Sequence, residues 1–227
     1  MSRFLSGFVA VFLVGATAGC NAATATPTNA IPNPVIDAPL ATAKGEQTAV
    51  IAGGCFWGVQ AVFQHVKGVI AVTSGYSGGA ADTAHYEMVG EGNTGHAESV
   101  RIVYDPSQIS YGQLLKVFFA VVHDPTELNR QGPDTGTQYR SAIFYSDEPQ
   151  KRIAQAYVEQ LNKAKVFRQS IVTQVVALKA FYEAEGYHQD YLINHPDDPY
   201  IVINDVPKVE NLRKHYGDLY VSGMARR

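Results

Sequence analysis

Cys55 lies in the run GGCFWG, residues 53–58, with two glycines before it and the chain's one tryptophan two places after it. The 227 residues hold only one other cysteine, Cys20. Glycines supply backbone freedom rather than packing volume, so a thiol framed by them reads as presented for reaction, not as a small core residue. The attacking form of such a nucleophile is the thiolate. One thiol without a His-x-x-His pairing offers no ligand set, so no metal site is expected. Without Cys-x-x-Cys, dithiol chemistry of the thioredoxin kind is not expected either. Two chemistries remain open: acyl transfer, with His188 or His96 as the base, and redox chemistry at an oxidised sulfur.

Hydrophobic spacing indicates the elements that would position this thiol. Residues 48–52 (TAVIA) read as a strand, and the glycine pair ends it. Val59, Val62, Phe63 and Val66 then fall at helical intervals, which predicts a helix over residues 56–66. Cys55 is therefore expected at a helix N-terminus, where free amides and the helix dipole favour a thiolate. Further strands are expected at residues 69–74, 99–104, 139–145 and 171–178, with a glycine-rich loop over 75–82. Helices are expected at residues 111–123, 147–165 and 207–216, the second opened by Asp147, Pro149 and Gln150. Strands and helices mix without strict βαβ repetition, so the fold class is α+β, with helices layered on a mixed sheet.

Composition bounds the rest. A hydrophobic fraction of 46% suffices for one domain with a sizeable core. A net charge of -3 with no basic run gives no footprint for nucleic acid. Residues 1–20, with Arg3 and an apolar run from Phe4 to Gly15, read as a secretory signal too short for a membrane span. Ala18-Gly19-Cys20 resembles the end of a bacterial lipoprotein signal, although Thr17 stands where leucine is usual. Acylation of Cys20 and ordinary cleavage nearby are the alternatives, and both make the protein exported, to the periplasm or to a membrane surface of the cell envelope. Residues 21–47, rich in Ala, Thr and Pro, are expected to be a disordered tether ahead of a domain over residues 48–220.

Four motifs in order carry a resemblance that spans residues 48–216: GCFWG at 54–58, TGHAES at 94–99, GTQYRSAIFY at 136–145 and GYHQDYL at 186–192. Together they resemble the A-type peptide methionine sulfoxide reductases. The resemblance implies a two-layer α+β sandwich with a ferredoxin-like core, and reduction of the S-epimer of methionine sulfoxide, free or in proteins. It implies Cys55 as nucleophile, Glu98 as the proton donor to the sulfoxide oxygen, and Tyr86 and Tyr139 as phenols hydrogen-bonded to that oxygen. Phe56 and Trp57 would grip the S-methyl group, and Asp134 would be a polar partner of the site. Glu98 must then be protonated near neutral pH, a state that burial promotes.

The chain departs from many members of that family. Its tail, residues 221–227, holds no resolving cysteine. A Cys55 sulfenic acid would therefore need an external thiol, from a thioredoxin-like or glutaredoxin-like protein or a small molecule, and no bound cofactor. The partners expected are oxidised envelope proteins, free methionine sulfoxide and that reductant, acting on a monomer. A cysteine acyl-transfer enzyme and a non-catalytic lipoprotein domain that binds oxidised or methyl-bearing peptides are the alternatives.

Overall fold

The computed structural model describes residues 31–223, together with Met1 and Ala225. The expected signal sequence beyond Met1, and residues 21–30 of the expected tether, lie outside the described residues. Strand β1 (Gln47–Gly53) is buried along its last five residues, because it is flanked on both edges and covered on both faces. It pairs antiparallel with β3 (Ala97–Tyr104), matching Ile51 to Val100, and with β6 (Ser141–Tyr145), matching Ile51 to Ile143. The sheet is completed by β2 (Val69–Ser77), β7 (Gln174–Ala177) and β8 (Phe181–Glu183), in the order β7-β6-β1-β3-β2-β8. Only β6 and β7 run parallel among these neighbours, so the sheet is mixed. A separate hairpin joins β4 (Arg130–Gln131) to β5 (Asp134–Thr135).

The period of two along a strand divides the apolar residues between the two faces. Ala49 and Ile51 belong to the main core with Val62, Phe63, Leu114, Ile153 and Tyr157. Those partners come from α1 (Phe56–Gln64), α3 (Tyr111–Val117) and α4 (Glu148–Lys163). Val50 and Ala52 face a smaller cluster with Ala142 and Phe144. Short helices α2 (Tyr86–Gly90) and α5 (Tyr191–Asn194), and the last helix α6 (Val206–His215), complete the chain.

Several expectations need correction. The loop expected over residues 75–82 begins later, since Gly75 to Ser77 still pair with both β3 and β8. The helix expected over residues 111–123 is α-helical only to Val117 and continues as a π-helical turn, Phe118–Val122; a second π-helical turn, Ile201–Asp205, precedes α6. Such wide turns hold an extra residue that a strict 3.6-residue period cannot reveal.

The expected tether is corrected over its second part, because residues 31–46 are docked. Ile31 is buried in the main core, and the carbonyl of Pro32 accepts the Tyr157 hydroxyl at 2.7 Å. Asp37 reaches the start of α3, accepting the Gly112 N–H at 2.8 Å and the Ser110 hydroxyl. Ser110 and Gln113 already form a reciprocal capping box there, so Asp37 ties the strap to a preformed helix end. A few anchors thus order a stretch whose composition alone cannot. Asp37→Ala is expected to cost roughly 1–2 kcal/mol of stability, about that of a lost helix cap, in urea unfolding. Unchanged stability would mean the strap is not held to α3.

Candidate active site

The turn from β1 into α1 sets the geometry. Gly54 has φ +91°, in the left-handed region, and a Cβ there would come within 2.7 Å of the Gln131 side chain. Cys55 follows as the N-cap residue of α1 and is only 8% exposed. Glu98, near the start of β3, is 4% exposed, and its Oε2 accepts the Phe56 N–H at 3.1 Å. The carboxyl is thereby fixed to the amide of the residue after the thiol. Half-buried Tyr86 and Tyr139 lie in the same electrostatic neighbourhood, each with its phenol ionisation pushed up by burial and by the nearby Glu98 and Cys55. These phenols therefore remain neutral hydrogen-bond donors.

The aromatic wall is built from both ends of the chain. Trp57 stacks on Tyr191 at 3.7 Å, meets Tyr200 edge-on at 5.9 Å, and donates its indole N–H to His188 Nδ1 at 3.2 Å. Phe56 lies 5.1 Å from the His188 ring and 5.8 Å from Tyr76. Tyr76 donates to Glu185 Oε2 at 2.8 Å, and the other oxygen of Glu185 accepts the Tyr86 N–H at 3.0 Å. Glu185 thus fixes the start of α2, where Tyr86 sits, against β2. Asp134, on β5, accepts the Tyr200 hydroxyl.

Both histidines considered as bases are occupied elsewhere. Nδ1 of His188 receives the Trp57 N–H, and burial lowers the ring's proton affinity. Nδ1 of His96 receives the Gly79 N–H at 3.2 Å, while its Nε2 pairs with the carbonyl of Ala80 at 2.9 Å. Neither is hydrogen-bonded to the thiol, so neither histidine is placed as the base for acyl transfer at Cys55. The structure does bring together Cys55, Phe56, Trp57, Glu98, Tyr86, Tyr139 and Asp134.

The electrostatics correct one expectation and supply another. Burial pushes the Cys55 thiol well above its ordinary value, assisted by Glu98 and Asp205 and opposed by the Trp57 N–H and Lys208. The helix start does favour the thiolate, but desolvation outweighs it, so the resting thiol is neutral. Burial also raises Glu98 to about 8, against the opposing Phe56 hydrogen bond. At neutral pH its carboxyl therefore holds a proton next to the thiol.

A family model described as peptide methionine sulfoxide reductase matches residues 47–219. The chain belongs to that family. Among curated relatives, peptide methionine sulfoxide reductase MsrA 2 of Mesorhizobium japonicum is 61% identical over 178 residues, covering 78% of this chain and 91% of the relative. Its counterpart from Synechocystis sp. is 54% identical over 190 residues, 83% of this chain and 89% of the relative. Among solved structures, methionine sulfoxide reductase A of Corynebacterium diphtheriae is 36% identical with a TM-score of 0.58, covering 75% of this chain and 86% of that one. Reduced Mxr1 from Saccharomyces cerevisiae is 32% identical with a TM-score of 0.61, covering 71% and 91%. The chain is thus an oxidoreductase acting on methionine sulfoxide.

In this methionine sulfoxide reductase, Glu185, Tyr191, Tyr200, Asp205 and Lys208 also stand around the site, although nothing in the sequence singled them out. Tyr191 lies inside the motif GYHQDYL, but its stacking on Trp57 is a contact across the fold. Asp205 is fully buried, pairs with Lys208 at 3.1 Å, and packs so close to Gly58 that a Cβ there would overlap its carboxylate. Because the thiol is neutral, its ultraviolet thiolate band should be small at pH 7 and develop only above the ordinary thiol range, read as wild type minus Cys55→Ser. A full band at pH 7 would show that desolvation does not control this sulfur.

Proposed function

We propose that the enzyme reduces the S-epimer of methionine sulfoxide, in proteins and as the free amino acid, by direct attack of Cys55 on the sulfoxide sulfur. The observation that carries this reading is the buried Glu98 carboxyl, bonded to the amide next to the thiol and raised by burial to about 8. A sulfoxide oxygen is a poor leaving group and needs a proton as sulfur is attacked. Tyr86 and Tyr139 hold the oxygen as neutral donors, and Glu98 delivers the proton. As the Cys55 sulfur bonds to the substrate sulfur, its own proton passes to the carboxylate left on Glu98. The hydroxyl then passes from the substrate sulfur to the Cys55 sulfur as the new S–S bond and the substrate S–O bond break, so the net step is thiol plus sulfoxide giving Cys55 sulfenic acid plus methionine thioether, with Glu98 restored. Phe56 and Trp57 receive the S-methyl group; the hydrogen bond to His188 and the stack on Tyr191 fix the plane of the indole. Asp134 orients Tyr200 at the edge of this wall.

An external thiol returns Cys55 to the reduced form, since the chain's other cysteine belongs to the expected signal. Export to the envelope, a lipid on Cys20, repair of oxidised envelope proteins and action as a monomer complete the reading. The run β1-α1-β2-β3-α3-β6, with the strand order β6-β1-β3-β2, supports a ferredoxin-like core within a two-layer sandwich.

Resolved epimers of methionine sulfoxide, reduced with dithiothreitol by wild type and Cys55→Ser, test the reaction: only the S-epimer should turn over, and only with Cys55 present. In single turnovers, Glu98→Gln should slow methionine formation about 10²–10⁴-fold, the usual contribution of a general acid. A raised carboxyl pKa means that the acid form is lost as pH rises, so the wild-type rate should break downward through about pH 8. The break should be absent from Glu98→Gln. An unchanged rate in that variant would remove Glu98 from the acid role.

A further inference from the structure

Cys55 is approached from a second direction. A cavity of about 390 Å³ has Cys55 in its wall, and none of Glu98, Tyr86, Tyr139, Phe56 and Trp57 lines it. Asp134 and Tyr200 do line it, and Tyr200 also touches Trp57, so this bonded pair stands between the cavity and the aromatic wall. Both π-helical turns contribute to the lining, through residues 119–122 on one side and Ile203 and Asn204 on the other. Wide turns of this kind recur at functional sites, and here two unrelated ones meet at one space.

The chemistry of reactivation needs such a space. After the first half-reaction, the sulfenic oxygen of Cys55 is the former sulfoxide oxygen, left beside Glu98 and the two phenols. A thiolate displacing that oxygen from sulfur attacks in line with the S–O bond, and so from the side away from that cluster. Resting on the reductase reading above, we propose that this cavity is the entry port for the reducing thiol, and that it takes a peptide-sized thiol bearing both an ammonium and a carboxylate. The volume is that of a small-molecule site, and Cys55 stands in its wall. Lys208, in the wall, gives one hydrogen bond to Asp205 and has further N–H donors for a carboxylate. Asp124, also in the wall, accepts from Thr126 at one carboxylate oxygen and has the other for an ammonium, while Glu127 beside it is already paired with Arg130 and the Gly132 N–H. In the first step the S–S bond to the incoming thiol forms as the S–O bond breaks, and the thiol's proton leaves with the oxygen as water. A second thiol then attacks the mixed disulfide at the small-molecule sulfur, releasing Cys55 as the thiol and the reductant as its disulfide.

The two half-reactions separate this port from the sulfoxide site. The full-length protein, fully reduced, is first given S-sulfoxide without thiol, and methionine formation is timed. The oxidised enzyme is then given either cysteinylglycine or 2-mercaptoethanol. Asn211→Trp, which fills the cavity, should leave the first step unchanged and slow the second with cysteinylglycine by about tenfold or more, equivalent to roughly 1.4 kcal/mol. Lys208→Met should lower the ratio of the two thiols' rate constants by about fivefold, as expected for one charge-assisted contact. The ratio removes any change in the reactivity of Cys55 itself, which affects both thiols alike. Equal slowing of both half-reactions by Asn211→Trp would make the cavity part of the sulfoxide site and overturn the port. Unchanged reactivation in that variant, or an unchanged ratio in Lys208→Met, would overturn it too. A wild-type first step that yields no methionine would instead remove the reductase reading beneath it.

Discussion

The hydrogen bond from the Phe56 amide to Glu98 joins the start of β3 to the start of α1, and the proposed chemistry depends on that bond staying buried. In water a carboxyl ionises well below neutral pH and gives up the proton a sulfoxide oxygen needs. Removed from water, it keeps the proton to about pH 8, although the amide it accepts favours the charged form. The same desolvation holds the Cys55 thiol neutral. The proposed acid and the thiol therefore rest together without a buried pair of like charges, which would be costly.

Much of the surrounding structure keeps that pocket dry and its members aligned. β1 brings Cys55 to the end of a doubly covered strand, and the positive φ of Gly54 turns the chain into α1 there. Behind the thiol, Glu185 holds Tyr76 and the Tyr86 backbone at once, and His188 spends its free nitrogen on Trp57. Buried Asp205, paired with half-buried Lys208, closes the far side beneath the first turn of α1. Removing one partner of such a pair generally destabilises more than the pair itself contributes. Residues outside the proposed sulfoxide site therefore share in setting the protonation of those within it.

The strand, turn and helix around Cys55 were legible because both periods, two in TAVIA and 3.6 from Val59 to Val66, are local properties of the chain. Asp147 was legible as a cap for the same reason, and it accepts the Gln150 N–H at 2.8 Å. The protonation of Cys55 was not legible. A helix start is visible in sequence, whereas the desolvation that overrides it comes from β3, the Asp134 loop and α6 packing over one point. Tyr191, Tyr200 and Asp205 were hidden because residues 186–205 fold into short turns without sustained periodicity, and Lys208, although inside the helix expected over residues 207–216, comes to the wall beside Cys55 only through the fold. Residues 31–46 looked unable to order themselves, and they are held by side chains of α3 and α4 instead.

Infrared difference spectroscopy of wild type against Glu98→Gln tests most directly whether a protonated carboxyl waits beside the thiol. A carbonyl stretch of a protonated carboxylic acid should be present at pH 7 in wild type alone, and should give way to carboxylate bands as pH rises through about 8. A wild-type spectrum with only the carboxylate bands of Glu98 at pH 7 would contradict it, and the proton for the sulfoxide oxygen would have to come from another group.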